Sequence, residues 1–393
     1  MDFTYICKEC GHRYPIEPQF MVCPRCSPTQ LPDQPLCGVL EVELAGEVST
    51  DWRISSLLPV EKQFFPPIPV GSTPLWAPER LRRELDFPSL YIKDEGLNPT
   101  CSLKDRASFL VSAFATKFGI HEIVLASTGN AGSSMAGVGA AAGQQVTLFL
   151  PAAAPRAKLI QALQYGARVF RVNGSYDTAY DLSLAYSARF GGLNRNTAYN
   201  PMTIEGKKTV ALEVFRQLGR VPDSVFVAAG DGCILSGVYK GFRDLRQLGL
   251  SDRLPTVYAV QAEGSAALAR AFDHGGFVRK PSSTVADSIC VDVPRNGFHA
   301  VKQLKEHGGH IVKASDEQIL AAQVMLARSS GLFTEPAGAA AFAGFLETRP
   351  RLPAETVAVI LATGNGLKDI PAAGRGVEIP DKIITSLDEV NPG

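Results

Sequence analysis

Short apolar runs alternate with longer helical stretches along most of the chain after residue 121. Six apolar runs have the length and composition of buried strands, at residues 123–126, 146–150, 169–172, 224–228, 257–261 and 356–362. Helices are predicted between them, including residues 135–142, 158–165 and 176–189. Apolar strands that alternate with helices are typical of parallel sheets covered on both faces. The pattern therefore predicts an α/β fold.

The alternation of strands and helices divides into two units, near residues 100–195 and 200–390. We therefore expect two parallel-sheet α/β domains with a cleft between them, and ligand sites in such folds lie at the carboxyl ends of the strands. The first forty residues differ from the rest because they are rich in Cys and Pro. We predict an N-terminal unit at residues 1–40 and a small domain at residues 99–195. The large domain combines residues 41–98 with residues 196–393.

The composition is that of an ordinary globular protein with a sizeable core. Of the 393 residues, 45% are apolar and 20% are charged, and 39 Lys and Arg balance 39 Asp and Glu. This balance removes the electrostatic argument for nucleic acid or an anionic membrane as the main partner. No apolar run approaches the length of a membrane span, and the N-terminus MDFTYICKEC does not resemble a secretory signal. We therefore expect a cytoplasmic enzyme.

Four of the eight cysteines are spaced for a metal ion. Cys7 and Cys10 form one C-x-x-C pair, Cys23 and Cys26 form a second, and twelve residues separate the pairs. This spacing is typical of a zinc ribbon, in which four thiolates hold a structural zinc and leave no open position for chemistry. The alternative is four unligated thiols. Zinc ribbons also occur in nucleic-acid-binding proteins, but this one is not embedded in a basic segment.

Lys104 is the main candidate for a reactive residue. It lies in the segment EGLNPTCSLKDR (residues 95–106), where a turn precedes a helix that we expect to begin near Lys104, with Ser102 as its cap. The positive end of the helix dipole would favour the neutral amine, which Schiff-base chemistry requires. The alternative is a solvated surface lysine beside Asp105 and Arg106.

Two glycine-rich loops follow predicted strands and open predicted helices. Residues 127–132 (STGNAG) offer backbone N–H groups and short polar side chains, which suit a carboxylate. Residues 230–234 (GDGCI) suit a phosphate, because glycine lets the backbone approach the ligand and the helix start favours its charge. A dinucleotide-binding loop is the alternative for the second segment, but Leu235 stands where the third fingerprint glycine would be.

Segment 95–106 is similar to the NPTGSFKDR signature of the fold-type II pyridoxal-5′-phosphate (PLP) enzymes, and most closely to the threonine synthases. The resemblance implies a tryptophan synthase β-like fold, a large domain that binds PLP, and Lys104 as the residue that holds the cofactor as a Schiff base. Cys101 and Leu103 depart from the signature, where the family has Gly and Phe. Short ribbons similar to residues 1–40 precede the catalytic domain in some threonine synthases and in the related cysteate synthases.

The loop STGNAG resembles the family's ASTGN motif. The resemblance implies that the substrate carboxylate is bound by Ser127, Thr128 and Ala131. It also implies that Asn130 forms a hydrogen bond with the 3′-oxygen of the cofactor.

Two further motifs concern the cofactor. The loop GDGCI stands where the family has GNAGN, and the resemblance implies that the cofactor phosphate is bound by Gly230, Asp231, Gly232, Cys233 and Ile234. The segment LATGNGLKD (residues 361–369) resembles LTGHGLKD, which implies that the hydroxyl of Thr363 faces the pyridine nitrogen. A neutral hydroxyl there suits β- and γ-elimination.

The reaction implied by the resemblance is that of a threonine synthase, a carbon–oxygen lyase acting on phosphates, which converts O-phospho-L-homoserine and water into L-threonine and phosphate. One stretch departs from the family: NPMTIEGKKT (residues 200–209) resembles NPYRLEGQKT, and Thr203 replaces the arginine that helps to bind the substrate phosphate. Lys207, which replaces a glutamine, is the candidate for the missing charge.

Two other functions stay open at this point. One is a related β-replacing or β-eliminating PLP enzyme, such as a cysteate synthase or a hydroxyamino-acid dehydratase. The other, from a different class, is a zinc-ribbon nucleic-acid-binding protein on an inactive enzyme scaffold. For the enzyme we expect a homodimer that acts on a small amino acid and needs no nucleic acid or membrane.

Overall fold

The computed structural model describes residues 1–49, 51–127, 129–152, 154, 156–381, 383–386 and 389–390. The strands are β1 (Asp2–Cys7), β2 (Arg13–Tyr14), β3 (Leu40–Ala45), β4 (Leu75–Trp76), β5 (Leu90–Asp94), β6 (Glu122–Ala126), β7 (Gln145–Pro151), β8 (Arg168–Val172), β9 (Leu193–Asn194), β10 (Ser224–Ala228), β11 (Thr256–Ala262), β12 (His310–Ala314) and β13 (Ala358–Ala362).

The α-helices are α1 (Glu79–Glu84), α2 (Lys104–Lys117), α3 (Asn130–Ala142), α4 (Arg156–Gln164), α5 (Tyr176–Phe190), α6 (Met202–Lys207), α7 (Thr209–Leu218), α8 (Cys233–Gln247), α9 (Ala267–His274), α10 (Gly297–Glu306), α11 (Asp316–Ser330), α12 (Pro336–Thr348) and α13 (Ile370–Ala373). Within the described ranges, no helix is both long and apolar enough to cross a membrane.

Two separate sheets carry the α/β architecture. The larger has the strand order β12-β11-β10-β13-β5-β4, and only the pairing of β4 with β5 is antiparallel. The smaller has the order β8-β7-β6-β9 and is parallel throughout. The predicted α/β fold and the six predicted strands are confirmed. The strands not predicted, β4, β5, β9 and β12, are very short or carry polar residues.

The central strands of the larger sheet are buried at every position because helices cover both of their faces. All five residues of β10 (SVFVA) and all five of β13 (AVILA) are buried. Phe226 on β10 stacks on Tyr258 with ring centroids 4.4 Å apart, and it meets Phe345 on α12 edge to face. This packing explains why the strands appear in the sequence as continuous apolar runs rather than as alternating patterns.

The N-terminal unit is a small antiparallel sheet with the order β2-β1-β3. Its last strand, β3, extends to Ala45 and so past the predicted boundary at residue 40. Glu41 on β3 is buried and accepts hydrogen bonds from Arg243 on α8 at 2.6 Å, and it pairs with His299 on α10 at 2.7 Å. A buried charge network therefore joins this sheet to the helices of the larger sheet.

The carboxyl ends of two strands, one from each sheet, meet at one cavity. Ala126 ends β6 and Ala228 ends β10, and both residues line it. The loops that follow lead into α3 and α8, whose first residues, Asn130 and Cys233, line the cavity as well. The cavity lies where ligand sites of α/β folds are expected.

Candidate active site

Lys104 is the first residue of α2, and two segments far apart in sequence fix its position. The N–H of Leu103 donates to the carbonyl of Thr363 at 2.9 Å, and the N–H of Asn365 donates to the carbonyl of Cys101 at 3.0 Å. The predicted helix start is therefore confirmed. The prediction that Ser102 caps it is wrong, because Leu103 occupies the cap position and the buried Ser102 hydroxyl has no hydrogen-bond partner in the described part of the chain.

The cavity collects most of the residues that the sequence singles out. Those that line it are Lys104, Ser127, Asn130, Ala131, Lys207, Gly230, Asp231, Gly232, Cys233 and Ile234. Thr363 does not line it and contacts the start of α2 through its backbone. Thr128 lies outside the described residues. The sequence thus predicts the contents of one cavity from segments about 130 residues apart, while the individual roles of these residues stay predictions.

The surroundings of Lys104 lower the pKa of its amine and so favour loss of a proton. Burial lowers the pKa of Lys104 from 10.5 to about 8, and the nearby positive charge of Lys207 contributes in the same direction. The carboxylate of Glu335 opposes this shift. The pKa shift has the expected direction, towards the neutral amine, but its main cause is burial rather than the helix dipole.

The loop that follows β6 is held by its own side chains. The hydroxyl oxygen of Ser127 accepts hydrogen bonds from the N–H groups of Gly129 at 3.1 Å and Gly132 at 2.9 Å. The amide of Asn130 donates to Glu335 Oε1 at 2.6 Å, and its buried Oδ1 has no partner among the described residues. An unsatisfied polar atom at the cavity is what a site for a polar ligand would leave open.

Glu335 is a site residue that the sequence did not assign a role. It is buried immediately before α12, and burial raises its pKa against the opposing charges of Lys158 and Lys368. It begins the tripeptide EPA (residues 335–337) at the start of α12. The contact with Asn130 spans 205 residues and could not be found from local pattern.

Close packing against neighbouring segments requires the two glycines of the loop 230–234. Gly232 has φ +81°, and a Cβ there would lie 2.6 Å from the Cβ of Ala300. A Cβ at Gly230 would lie 2.8 Å from the backbone of Ile289. The α8 helix begins directly afterwards, so its first N–H groups point to the cavity end of the helix.

Asp231 has a structural contact in this loop. Its carboxylate accepts a hydrogen bond from the backbone N–H of Arg295 at 3.0 Å, which connects the loop to the segment before α10. Burial raises the pKa of Asp231, while the hydrogen bond and the charge of Arg295 oppose that shift. The acid that replaces the family's asparagine therefore shapes the loop.

Thr203 and Lys207 both lie at the thiol of Cys233. The ammonium of Lys207 donates to Cys233 Sγ at 3.2 Å, and the hydroxyl of Thr203 lies 3.6 Å from the same sulfur. Gly237 allows this close packing of α6 on α8, because a Cβ there would lie 2.7 Å from the Cβ of Lys207. The position at which the family has its arginine is thus next to the cavity, and Lys207 lines the cavity itself.

The polar groups of this cavity fit PLP. The cofactor has an aldehyde, a phosphate and polar ring substituents, and the cavity offers an amine with a lowered pKa, a helix start after a glycine loop, and an unsatisfied amide oxygen. These groups belong respectively to Lys104, the loop 230–234 and Asn130. Nothing in this donor set requires a metal ion.

The four predicted metal ligands come together in the N-terminal unit. The Sγ atoms of the cluster, Cys7, Cys10, Cys23 and Cys26, all lie within 4.8 Å of one another. The distance between the sulfurs of Cys7 and Cys26 is 3.8 Å, and that between Cys10 and Cys23 is 3.7 Å. Tetrahedral zinc with Zn–S bonds of about 2.3 Å requires sulfurs about 3.8 Å apart. The cluster is therefore compatible with zinc.

Comparison with known proteins identifies relatives over nearly the whole length. Residues 68–364 match the family described as pyridoxal-phosphate dependent enzyme. The threonine synthase of Methanosarcina acetivorans is 34% identical over 407 residues, which cover 98% of this chain and 96% of that protein. The threonine synthase of Methanocaldococcus jannaschii is 33% identical, with 96% of each chain covered.

Solved structures agree on the fold. The maize serine racemase superimposes with a TM-score of 0.67 at 20% identity, covering 76% of this chain and 89% of that one. The processed form of threonine deaminase isoform 2 from Solanum lycopersicum superimposes with a TM-score of 0.68 at 21% identity, covering 86% of this chain and 98% of that one. These similarities confirm the predicted fold-type II architecture, and the sequence relatives confirm the resemblance. The chain belongs to the pyridoxal-phosphate dependent enzymes and, within them, to the threonine synthase family.

Proposed function

We propose that this protein is a threonine synthase that converts O-phospho-L-homoserine and water into L-threonine and phosphate with PLP as cofactor. The observation that carries the proposal is the similarity to threonine synthases over nearly the full chain, at 33–34% identity. The cavity supports it, because Lys104 with its lowered pKa, a glycine loop at a helix start and the buried Lys207 surround one space.

The chain's own residues would have distinct tasks in this reaction. When bound, PLP withdraws electrons from the amino acid and so makes its Cα–H bond acidic. The neutral amine of Lys104 would hold the cofactor and then move protons at the substrate carbons. The backbone of loop 230–234 would bind the cofactor phosphate, and the amide of Asn130 would bind its 3′-oxygen.

The remaining assignments concern the substrate carboxylate and the ring nitrogen. Ser127 and Ala131 line the cavity at the start of α3, where backbone N–H groups suit a carboxylate, and Thr128 between them has the same proposed role. The hydroxyl of Thr363 is proposed to face the ring nitrogen. Its support is the backbone contact that joins Thr363 to the start of α2, directly beside Lys104.

Several further features of the protein are proposals of the same kind. The four thiolates of Cys7, Cys10, Cys23 and Cys26 would hold one structural zinc, for which their sulfur spacing is suitable. The division into a small domain (99–195) and a large domain (41–98 and 196–393) is supported by the two separate sheets. We also propose a cytoplasmic homodimer that acts on a small amino acid without nucleic acid or membrane.

Thr203, which replaces the arginine of the family, is the reason for considering a second reaction. Thr203 is completely buried against Asn200 and Cys233 and offers no charge to a phosphate. An enzyme that eliminates or replaces a β-substituent would need none. A cysteate synthase-like or dehydratase-like reaction is therefore the second candidate.

A substrate panel decides between these reactions. The PLP-loaded protein is incubated separately with O-phospho-L-homoserine, O-phosphoserine, serine and threonine, and the products are identified by mass. We expect threonine and inorganic phosphate in equal amounts from O-phospho-L-homoserine only. Turnover of O-phosphoserine, serine or threonine without turnover of O-phospho-L-homoserine would replace the proposed function with the second candidate.

A further inference from the structure

Most buried cations of this protein have carboxylate partners. Arg106 pairs with Glu95 and Glu213, and Lys208 pairs with Asp244 at 2.8 Å. The pattern holds at the rim of the cavity, where Lys158 pairs with Asp287 at 2.7 Å. A buried charge without a counter-ion costs several kcal/mol, roughly, so pairing is what a purely structural cation requires.

Three buried cations depart from this pattern. Lys368 donates instead to three neutral oxygens at 2.7 to 3.0 Å, whereas Lys207 and Arg195 have only weak or long contacts. Each of the latter two is only 1% exposed, and neither makes an ion pair with any described residue. The hydrogen bond of Lys207 goes to the sulfur of Cys233, which is a weak acceptor. Arg195 has only a long contact of 3.4 Å with Ser108 Oγ from its side chain, and its buried Nε has no partner among the described residues.

The contacts of Lys207 and Arg195 show where each cation lies relative to the cavity. Lys207 lines the cavity at the end of α6, beside the first residue of α8. Arg195 follows β9 directly, and its guanidinium lies 3.4 Å from the hydroxyl of Ser108, which is one turn of α2 beyond the cavity-lining Lys104. The charge of Arg195 lowers the pKa of Lys207, in addition to the larger effect of burial.

We propose that Lys207 and Arg195 together form an anion subsite beside the start of α8, and that its ligand is a phosphate monoester. The subsite rests on the proposed function and specifies how a phosphorylated substrate is recognised without an arginine at position 203. The lysine supplies a point charge and the guanidinium supplies directional N–H donors. The α8 helix start adds the favourable field of its first N–H groups.

The surrounding acidic groups are compatible with a bound anion. Asp231 lines the same cavity; burial raises its pKa, and its carboxylate accepts a hydrogen bond from the backbone N–H of Arg295 at 3.0 Å. Asp287, which also lines the cavity, is paired with Lys158 at 2.7 Å. Tyr176 also lines the cavity, and burial raises its pKa as well, so its hydroxyl stays neutral. The two carboxylates of the described cavity lining therefore each have a partner, and Tyr176 adds no negative charge at neutral pH.

A phosphate monoester can reach this subsite from two sources, the substrate or the cofactor. Both offer the same dianion, and the cavity contains the loop 230–234 that is proposed for the cofactor phosphate. The experiment needs one arm for each source. Inorganic phosphate added to the PLP-loaded protein tests the substrate side, and PLP against pyridoxal, which lacks the phosphate, tests the cofactor side on the apoprotein.

The variants are Lys207→Met, Arg195→Met and the charge-conserving Arg195→Lys. The matched control is Lys208→Met, which removes an adjacent buried lysine that is ion-paired and does not line the cavity. We expect Lys207→Met and Arg195→Met each to weaken binding of inorganic phosphate tenfold or more by calorimetry, and Arg195→Lys to weaken it less. The control should bind phosphate as the wild type does.

Thermal unfolding of the same variants, measured without phosphate, separates a binding role from a structural one. Because Lys207 and Arg195 have no counter-ion, their replacement by Met should leave the Tm unchanged or raise it. Lys208→Met leaves Glu205 and Asp244 without this partner and should lower the Tm. This contrast is a property of the folded chain and is independent of turnover.

The outcomes distinguish the subsite from the proposed function. Weaker phosphate binding in the PLP-loaded variants supports the subsite with the substrate as the source of the anion. Weaker PLP binding with unchanged pyridoxal binding supports it with the cofactor as the source. If both arms are unchanged in both Met variants, the subsite is refuted. Phosphate binding that depends on Lys207 and Arg195, without turnover of O-phospho-L-homoserine, would refute the reaction and keep the subsite.

Discussion

The two cations of the SLKDR segment lie only two residues apart, yet they have opposite surroundings. Lys104 is half-buried, lines the cavity and makes no ion pair with the described residues. Arg106 is buried in a closed network, in which Glu95 and Glu213 accept its hydrogen bonds at 2.6 to 2.7 Å. The difference shows that one short motif combines a group kept available for chemistry with a group that fixes the helix carrying it.

The network around Arg106 joins parts of the chain that are distant in sequence. Glu213 lies on α7, and it also accepts a hydrogen bond from Lys93 on β5 at 2.7 Å. Glu95 follows β5 and accepts hydrogen bonds from the side chains of Thr73 and Asn98. Helix α2 is thereby tied to the larger sheet, so the amine at its first residue has a defined position.

Removal of the available cation should have the largest effect. Lys104→Ala deletes the amine proposed to hold the cofactor, so we expect turnover to fall by several orders of magnitude. Steady-state kinetics measures the loss, and mass spectrometry after borohydride reduction locates the attached cofactor. Lys117→Ala, at the exposed end of the same helix, is the control and should keep both. A reducible adduct at one other lysine in Lys104→Ala would show that the wrong residue is assigned.

The second largest effect is expected from breaking the Arg106 network, which should reduce the stability of the protein. Glu213→Gln leaves two buried cations with one carboxylate fewer, and we expect a loss of about 3–5 kcal/mol in the free energy of unfolding. The control Glu61→Gln breaks an exposed pair with Lys117 and should cost about 1 kcal/mol or less. Denaturant unfolding of both variants measures the difference. Equal losses would show that the Arg106 network is no stronger than a surface pair.

The same network predicts a pH dependence. Burial alone would raise the pKa of Glu213, but Arg106 and Lys93 outweigh it and hold the pKa at about 2. Because the folded-state pKa lies below the usual value of about 4.3, the stabilisation is complete above that value and is lost as pH falls towards 2. The stability difference between the wild type and Glu213→Gln should therefore shrink in this acidic range. A difference that stays constant would show that the Glu213 carboxylate is not the group that titrates.

A smaller effect, which changes gradually with pH, is expected from the protonation of the Lys104 amine. Since the pKa of Lys104 is lowered to about 8, the neutral fraction rises about tenfold per pH unit below that value and levels off above it. We expect the rate of PLP uptake by the apoprotein, followed by absorbance, to show this profile. Lys207→Met removes a nearby positive charge and should move the midpoint to higher pH, whereas Lys208→Met should not. A midpoint near the ordinary lysine pKa in the wild type would contradict the assignment.

The smallest effect on the cavity is expected from the N-terminal unit. Cys23→Ser should lose the metal, of which we expect about one zinc per chain in the wild type, and should loosen residues 1–40 to limited proteolysis. PLP absorbance should survive, because no described residue of that unit lines the cavity. Cys37→Ser, outside the cysteine cluster, is the control and should keep the zinc. Metal analysis that finds no zinc in the wild type would refute the site.

The sequence alone was sufficient wherever the determining pattern is contiguous. Six apolar runs predicted six strands of two sheets. Five of these strands are mostly buried, and a strand buried on both faces needs apolar residues at successive positions, whereas the edge strand β8 is mostly exposed. The spacing of the four N-terminal cysteines predicted the cluster that forms, because each C-x-x-C pair already constrains two sulfurs locally. The position of Lys104 at a helix start followed in the same way from the turn before it.

Only the tertiary structure decided which charges are paired and which are left open. Arg195 gives no sequence signal of its own, since it is one basic residue after a two-residue strand. Its significance arises because α2, α6 and α8 bring Ser108, Lys207 and Cys233 towards it while no described carboxylate pairs with it. The start of α2 is likewise fixed by residues 363–365, some 260 positions further along the chain. Electrostatic energy depends on distances in space, and those distances are set by the packing of the whole fold.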